Sequence, residues 1–142
     1  MIFLDASSSA YNLVPFLAAK TGLTVITSGI KALSKLGEYG IRAISTGGEL
    51  LPESLSLVGE EAYKTIIRFN ANAVFFSCRG LSDKGEITDI SEAENYVRRC
   101  MIEHSESAYL MCASDKIGKK YFHNLCGEKD ITKVISDAKR NS

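Results

Sequence analysis

The residues best suited to chemistry lie near the start of the chain, where a short apolar run gives way to a helical pattern: Asp5, Ser7, Ser8 and Ser9. Small hydroxyl residues let a ligand approach the backbone, and the unpaired amides that begin a helix carry partial positive charge. Together these groups suit a phosphate ester. The alternative is that the serines only cap the helix, because serine is a preferred N-terminal cap.

Polar, cationic and flexible residues also follow the later apolar runs. In chain order they are Thr27, Gly47, Gly48, Arg79, Gly80 and Lys116. Open parallel sheets bind ligands beyond the carboxyl ends of their strands, so we expect these residues to converge on one face. Such a set is typical of a site for a small phosphorylated or carboxylated ligand. Taken singly, the glycine pair is more often a turn and the lysine a solvated charge.

Short apolar runs alternate with helical patterns along the whole chain. Six runs bounded by Gly, Asn, Asp or Ser are predicted strands, at residues 2–4, 23–27, 41–45, 73–77, 108–112 and 131–135. Four helical patterns separate them, near residues 13–20, 32–36, 62–69 and 92–106. This alternation predicts an α/β fold in which helices cover both faces of a mostly parallel sheet.

The first and fourth helical patterns carry the most detail. Asn12 is the expected cap of the first helix, Pro15 is expected in its first turn or at a kink, and Gly22 is expected to end it. The periodicity places Phe16 on its buried face. The fourth helix, at residues 92–106, is the clearest, because apolar residues recur there at three- and four-residue steps.

The composition bounds the class of protein. The 142 residues suit one domain over residues 1–137 with a flexible polar tail at 138–142, and the direct start on a strand suggests a segment of a longer protein. Seventeen basic residues balance seventeen acidic ones without a dense basic stripe, so the chain itself is expected to bind nucleic acid poorly. No apolar run is long enough to span a membrane.

Four cysteines are unevenly spaced and include no Cys-x-x-Cys pair: Cys78, Cys100, Cys112 and Cys126. Each has apolar or aromatic neighbours, so we expect buried, reduced thiols and a cytoplasmic location. The histidines also sit among apolar or aromatic residues, which suits packing. No metal site and no cofactor is predicted.

Four separated motifs occur along the chain: Phe3-Leu4-Asp5, Thr46-Gly47-Gly48 with Ser54-Leu55-Ser56-Leu57-Val58-Gly59, Val97-Arg98-Arg99-Cys100-Met101-Ile102-Glu103, and Ala113-Ser114-Asp115-Lys116-Ile117-Gly118. In this order and spacing, over nearly the whole chain, they resemble the C-terminal effector domain of DeoR-family bacterial transcription regulators. The resemblance implies a sugar-phosphate sensor whose fold is similar to ribose-5-phosphate isomerase and the coenzyme A transferases.

The resemblance also implies how such a sensor would act. Members of this family carry an N-terminal winged helix-turn-helix that binds operator DNA, and sugar phosphate at the effector domain alters that binding. We therefore expect the sensor half of a repressor of carbohydrate metabolism, with operator DNA bound only through a module outside this sequence. The family also implies self-association, and it implies no catalytic residues.

The family's phosphate loop falls on residues 5–9, where Ser7 stands at a position that is usually glycine. The resemblance assigns the three serines to the phosphate and Lys116 to added charge near the phosphate or a sugar oxygen. It assigns sugar hydroxyls to Asp5 and Glu94. The remaining matched positions either keep the backbone close to the ligand or retain a hydroxyl: Gly47, Gly48, Gly80 and Thr27.

Three points stay open at the level of sequence. Arg79 stands where the family has an acidic or small residue, and it either binds a second anionic group or pairs with Glu94. Glu94 and Arg98, one turn apart, are alternatively only an ion pair on the helix surface. Asp5 is alternatively only an acceptor within its turn.

The rival function is that of an isomerase-type enzyme of the related fold. Glu94 would then shuttle a proton between adjacent sugar carbons while Lys116 stabilises the enediolate. Arg79 argues against this function, because an isomerase-like site would be expected to crowd several acids at that turn. We therefore expect a sensor that is not an enzyme.

Overall fold

Strands and helices alternate along residues 1–137, which are the residues that this computed structural model describes; the tail predicted at 138–142 lies outside them. The strands are β1 (Ile2–Leu4), β2 (Thr24–Thr27), β3 (Arg42–Ser45), β4 (Glu49–Leu51), β5 (Ser56–Val58), β6 (Ala71–Phe76), β7 (Gly80–Leu81), β8 (Glu86–Asp89), β9 (Ser105–Met111), β10 (His123–Gly127) and β11 (Lys133–Ile135). The helices are α1 (Ser8–Leu17), α2 (Ile30–Glu38), α3 (Glu60–Ile66) and α4 (Glu92–Glu103), and short 3₁₀ turns cover Ser114–Lys116 and Glu128–Asp130.

The six predicted strands form one sheet in the order β11-β9-β6-β1-β2-β3. All neighbouring pairs in this sheet run parallel, so the predicted sheet is confirmed. Parallel strands covered on both faces read as continuous apolar runs, which is why the sequence shows them clearly. The chain moves outward from β1 through β2 to β3, then crosses to the other side of β1 and moves outward again through β6, β9 and β11.

Helices cover both faces of this sheet, as predicted, and β1 divides its side chains between them. Ile2 and Leu4 pack on one side with buried residues of α1 and α2. Phe3 points to the opposite side and packs with buried residues of α3 and α4. This is the alternation expected of a central strand, because successive side chains point to opposite faces.

The first helix differs from its prediction at both ends. Its cap is Ser7, whose Oγ accepts a hydrogen bond from the Ala10 amide at 3.1 Å, so Asn12 lies inside the helix. The buried stripe is Ala10, Val14 and Leu17, which leaves the Phe16 side chain 75% exposed. Pro15 lies in the last turn, where it has no amide hydrogen to donate to the Tyr11 carbonyl, and the Ala18 amide closes the helix by donating to the Pro15 carbonyl at 3.4 Å.

The fourth helix begins as predicted and ends three residues early. Ser91 caps it by accepting from the Glu94 amide at 3.3 Å. The predicted last turn instead begins β9, because Ser105 pairs with Ala71 of β6 in the parallel sheet. None of the helices in residues 1–137 combines the length and the apolar character needed to cross a bilayer.

Two small antiparallel sheets were not predicted from the sequence. β4 and β5 form a hairpin, and β7, β8 and β10 form a three-stranded sheet. Their strands are two to five residues long. Alternation of apolar and polar residues is too short to recognise at that length. Both small sheets belong to the connections that leave the carboxyl ends of parallel strands. In chain order, β4 and β5 follow β3, β7 and β8 follow β6, and β10 follows β9.

Gly48 fixes how the hairpin meets α3. Its φ is +112°, and a Cβ placed there would lie 2.4 Å from the Val58 carbonyl oxygen and 3.2 Å from the Ala62 Cβ. Glycine is therefore required by the packing of protein against protein at this position.

We expect Gly48→Ala to lower the free energy of unfolding by roughly 2 kcal/mol or more, because it adds both backbone strain and a clash with a main-chain oxygen. Gly37→Ala is the matched control, since a Cβ at Gly37 meets nothing within 4 Å and its φ is not positive. This control should stabilise the helix by up to roughly 1 kcal/mol. Urea unfolding measures both variants, and equal effects would contradict the assignment.

Candidate functional site

A cleft of about 250 Å³ opens at the carboxyl ends of β1 and β6. The order of the strands reverses between these two neighbours, and such a switch point is where open α/β sheets place their ligands. Five of the residues singled out from the sequence line the cleft: Ser7, Ser8, Arg79, Glu94 and Lys116. Six further residues, which the sequence analysis did not assign to the site, complete the lining: Ala6, Ser54, Ser77, Cys78, Asp89 and Arg98.

The serine turn supplies donors for an anion at one end of the cleft. The Ser7 hydroxyl is already committed, because it donates to Asp5 and caps α1. Ser8 and Ser9 begin α1, so their amides have no acceptor within the helix. Ser8 lines the cleft, whereas Ser9 does not. Each of the two interpretations of the serines, helix cap and anion site, therefore applies to a different residue. Ser7 is the cap, and Ser8 offers a hydroxyl and an amide to an anion.

Serine fits without strain at the position where the family has glycine. Ser7 has φ −72° and ψ 157°, which is ordinary extended backbone that any residue adopts. Its side chain turns back to Asp5 and to the start of α1. The substitution therefore strengthens the turn and leaves the cleft open.

A buried arginine connects the turn after β1 to α4 and β8. The Arg98 Nε donates to Asp5 Oδ2 at 2.9 Å, and its Nη1 donates to Asp89 Oδ2 at 3.2 Å and to Asn95 Oδ1 at 3.3 Å. The three charged side chains are each at most 7% exposed. Burial opposes the charge of Arg98, but Asp5 and Asp89 outweigh this effect and hold its pKa above the usual value. The alternative of a surface pair between Glu94 and Arg98 is wrong.

Asp5 has a different role from the one expected. Its Oδ1 accepts from the Ser7 amide and hydroxyl, and its Oδ2 accepts from Arg98 and, at 2.9 Å, from the Ser77 amide. Four protein donors thus occupy the carboxylate, which cannot also accept from sugar hydroxyls. Asp5 holds the ends of β1 and β6 and the helix α4 in one arrangement.

Arg79 pairs with Asp89 and not with Glu94. Its Nε lies 3.6 Å from Asp89 Oδ1, and its side chain is 58% exposed at the mouth of the cleft. Within residues 1–137, Glu94 takes part in no ion pair, so it is the carboxylate of the cleft that remains available.

Lys116 reaches the cleft from the 3₁₀ turn that follows β9. The next residues hold this turn against β7, because Ile117 bridges to Leu81 and the Gly118 amide donates to the Leu81 carbonyl at 2.7 Å. No carboxylate in residues 1–137 lies within 4.0 Å of the Lys116 Nζ. Its charge is therefore free to attract an anion.

The glycines and Thr27 support the site without lining it. Gly48 packs against the hairpin, and a Cβ at Gly80 would lie 2.5 Å from the Lys119 carbonyl oxygen, so both approach protein backbone and not a ligand. Gly47 has φ +67° and sits in the same loop. Thr27 accepts from the Gly29 amide at 3.0 Å. Gly29, which the sequence did not single out, packs against Ala6, where an added Cβ would lie 3.0 Å from the Ala6 Cα.

The cysteine that lines the cleft, Cys78, has an unreactive thiol. A hydrogen bond to Cys112 and burial raise the pKa of the Cys78 thiol far above its usual value. The thiol therefore stays protonated near neutral pH and is a weak nucleophile. Cys78 and Cys112 are buried as expected, whereas Cys100 and Cys126 are half-buried. No group of three His, Cys, Asp or Glu residues suited to a metal ion occurs in the described part of the chain.

We expect Arg98→Met to lower the free energy of unfolding by about 3–5 kcal/mol, because it leaves Asp5 buried without a counter-charge and Asp89 with only the exposed Arg79. Arg98→Lys should be intermediate, since one ammonium keeps the charge but not the fork that reaches both carboxylates. Arg68→Met, at an exposed position on the surface, is the control and should change the stability by less than about 0.5 kcal/mol. Urea unfolding would contradict the role of Arg98 if the two methionine variants were equally stable.

Comparison with known proteins shows the family of the chain. The family model described as the DeoR C terminal sensor domain matches residues 1–138. The transcriptional regulator YulB of Bacillus subtilis is 35% identical over 138 residues, which are 96% of this chain and 53% of YulB. The L-fucose operon activator of Haemophilus influenzae is 29% identical over 96% of this chain and 55% of its own. The chain thus spans about half the length of these relatives.

Two further comparisons concern function class and fold. The lactose phosphotransferase system repressor of Staphylococcus epidermidis is 30% identical over 118 residues, which are 81% of this chain and 47% of the repressor. Ribose 5-phosphate isomerase A from Methanocaldococcus jannaschii superposes with a TM-score of 0.54 at 12% identity, covering 82% of this chain and 46% of the isomerase. That likeness confirms the predicted fold. The chain belongs to the family of DeoR C-terminal sensor domains.

Proposed function

We propose that this sensor domain binds a phosphorylated sugar, with the phosphate at the start of α1. The observation that carries the proposal is that Ser8, at the start of α1, lines the same cleft as Lys116, whose ammonium has no carboxylate partner within residues 1–137. Backbone amides at a helix start and a nearby cation are the groups that proteins use to hold phosphate. The cleft has the concave shape and the few convergent polar groups that a small ligand needs.

Glu94 is the proposed acceptor for the sugar hydroxyls. It lies in the cleft. The sequence analysis gave the role of accepting hydrogen bonds from sugar hydroxyls to both Glu94 and Asp5, and Glu94 alone keeps it in this proposal. A ligand without the matching hydroxyl leaves a polar acceptor unpaired, and that cost gives the site its specificity. Arg79 at the mouth of the cleft supplies further donors to the ligand while Asp89 holds its position.

The regulatory role of the ligand is proposed from the relatives. One relative is named as an activator of an L-fucose operon and another as a repressor of a lactose phosphotransferase system. We infer that the present domain reports on carbohydrate supply and favours repression, through a DNA-binding module of the kind that the family implies. Ligand binding would shift the population between two arrangements of the protein, and that shift would change the affinity for operator DNA.

Self-association and a cytoplasmic location belong to the same proposal. Several large apolar side chains are exposed on the described chain, among them Phe122 at 89% and Phe16 at 75%. The family resemblance implies self-association, which would bury apolar side chains of this kind where they lie at the interface. Light scattering of the purified chain measures the oligomeric state, which we expect to be larger than one copy.

The rival proposal is an isomerase that converts the bound sugar phosphate. Glu94 and Lys116 do share the cleft, as that chemistry requires. Asp89, however, is held by Arg98 and Arg79, and Asp5 is occupied by four donors. Glu94 is then the one free carboxylate of the described cleft. An isomerase-like site would be expected to crowd several acids at the turn that carries Arg79. We therefore favour binding without turnover.

One experiment separates these two functions. The purified chain is incubated with ribose 5-phosphate, glucose 6-phosphate or fructose 6-phosphate, and its melting temperature and the NMR spectrum of the sugar are followed together. A sensor should gain thermal stability with at least one sugar phosphate, because a ligand bound only to the folded state stabilises it. The sugar itself should stay unchanged. New sugar signals would establish an enzyme instead.

Ser8→Asp should abolish binding of the sugar phosphate while keeping or raising the stability of the domain. A carboxylate would stand against the phosphate, yet an acidic residue at the start of a helix is favourable. Thr21→Asp adds the same charge at an exposed turn beyond α1 and should bind as the unmodified chain does. Calorimetric titration measures both, and an unchanged affinity of the Ser8 variant would refute the placement of the phosphate.

A further inference from the structure

A second cavity lies on the other side of the serine turn, between α1 and α2. This α1–α2 groove measures about 640 Å³ and is lined by Tyr11 of α1, by Lys31 and Lys35 of α2, and by Leu55 of the hairpin loop, among others. It shares four lining residues with the cleft: Ala6, Ser7, Ser8 and Ser54. The two cavities therefore adjoin at the start of α1.

The groove carries two lysine ammonium groups that have no carboxylate partner within residues 1–137. The Lys35 ammonium lies 3.9 Å from the centre of the Tyr11 ring, which holds it on the wall of the groove. Lys31 lies one helical turn before it on α2. Within residues 1–137, neither amine lies within 4.0 Å of a carboxylate, although Glu38 also lines the groove.

The groove has the size of a ligand site. It measures about 640 Å³, within the roughly 300–1,000 Å³ that ligand pockets usually occupy, and it adds this space to the cleft of about 250 Å³.

We propose that the α1–α2 groove is a second anion subsite of the effector site, and that the ligand is a sugar phosphate with a second anionic group, in the simplest case a sugar bisphosphate. This inference rests on the proposed function. One phosphate binds at Ser8, and the second lies against Lys31 and Lys35. The ammonium groups donate charge-assisted hydrogen bonds to the second phosphate.

Calorimetric titration of the whole chain with fructose 1,6-bisphosphate, fructose 6-phosphate and fructose 1-phosphate tests the inference. At low ionic strength the bisphosphate should bind roughly tenfold or more tightly than either monophosphate, because two additional cations contribute. In the double variant Lys31→Gln, Lys35→Gln the ratio of these affinities should fall below about threefold.

The matched control is the double variant Lys84→Gln, Lys129→Gln. It removes the same charge at two exposed lysines that line neither cavity, and it should keep the affinity ratio of the unmodified chain. If the monophosphates bind but the bisphosphate gains nothing, or if the Lys31 and Lys35 variant keeps the ratio, the second subsite is refuted and the proposed function stands. If none of the three sugars binds, the proposed function fails together with the subsite.

Discussion

The site depends on one buried charge. Arg98 comes from α4 and reaches Asp5 at the end of β1 and Asp89 at the end of β8 with separate nitrogen atoms. Asp5 in turn accepts from Ser7 and from Ser77, so the turn before α1 and the end of β6 are fixed by the same carboxylate. A guanidinium is the group that can span two carboxylates in this way, because its donors form a rigid fork.

The buried network around Arg98 explains how the small residues of the turn after β1 become part of a binding site. The hydrogen bonds to Asp5 commit Ser7 to the turn, and the turn then presents the first amides of α1 to the cleft. Gly29 lets the loop after β2 pack closely against Ala6 in the same turn. The ligand-facing groups, Ser8, Glu94 and Lys116, therefore come from three separate elements that the buried network and the sheet hold in register.

The sequence predicted the parallel sheet and its covering helices because buried parallel strands are uniform apolar runs. It also predicted that Ser8 and Lys116 share a cleft, since residues at strand ends must meet at one edge of the sheet, whereas Glu94 entered through the family resemblance. It missed the roles of Arg98 and Asp89, because a charged residue on a helix is usually exposed and nothing local reports a partner 93 positions away. The sequence did carry one signal of the buried position of Arg98: Asn95 and Arg98 lie three residues apart beside the apolar stripe of α4. The family resemblance assigned Gly48 and Gly80 to the ligand, because nothing in the sequence reports that the Val58 carbonyl packs on Gly48 and the Lys119 carbonyl on Gly80.

The most direct measurement is a nuclear magnetic resonance titration of the isotopically labelled chain with fructose 6-phosphate and ribose 5-phosphate, followed through the backbone amides. If the phosphate binds at the start of α1, the amides of Ser8 and Ser9 should shift most and saturate together with that of Lys116. Saturating shifts that leave Ser8, Ser9 and Lys116 unmoved would contradict the account, because the anion would then bind elsewhere.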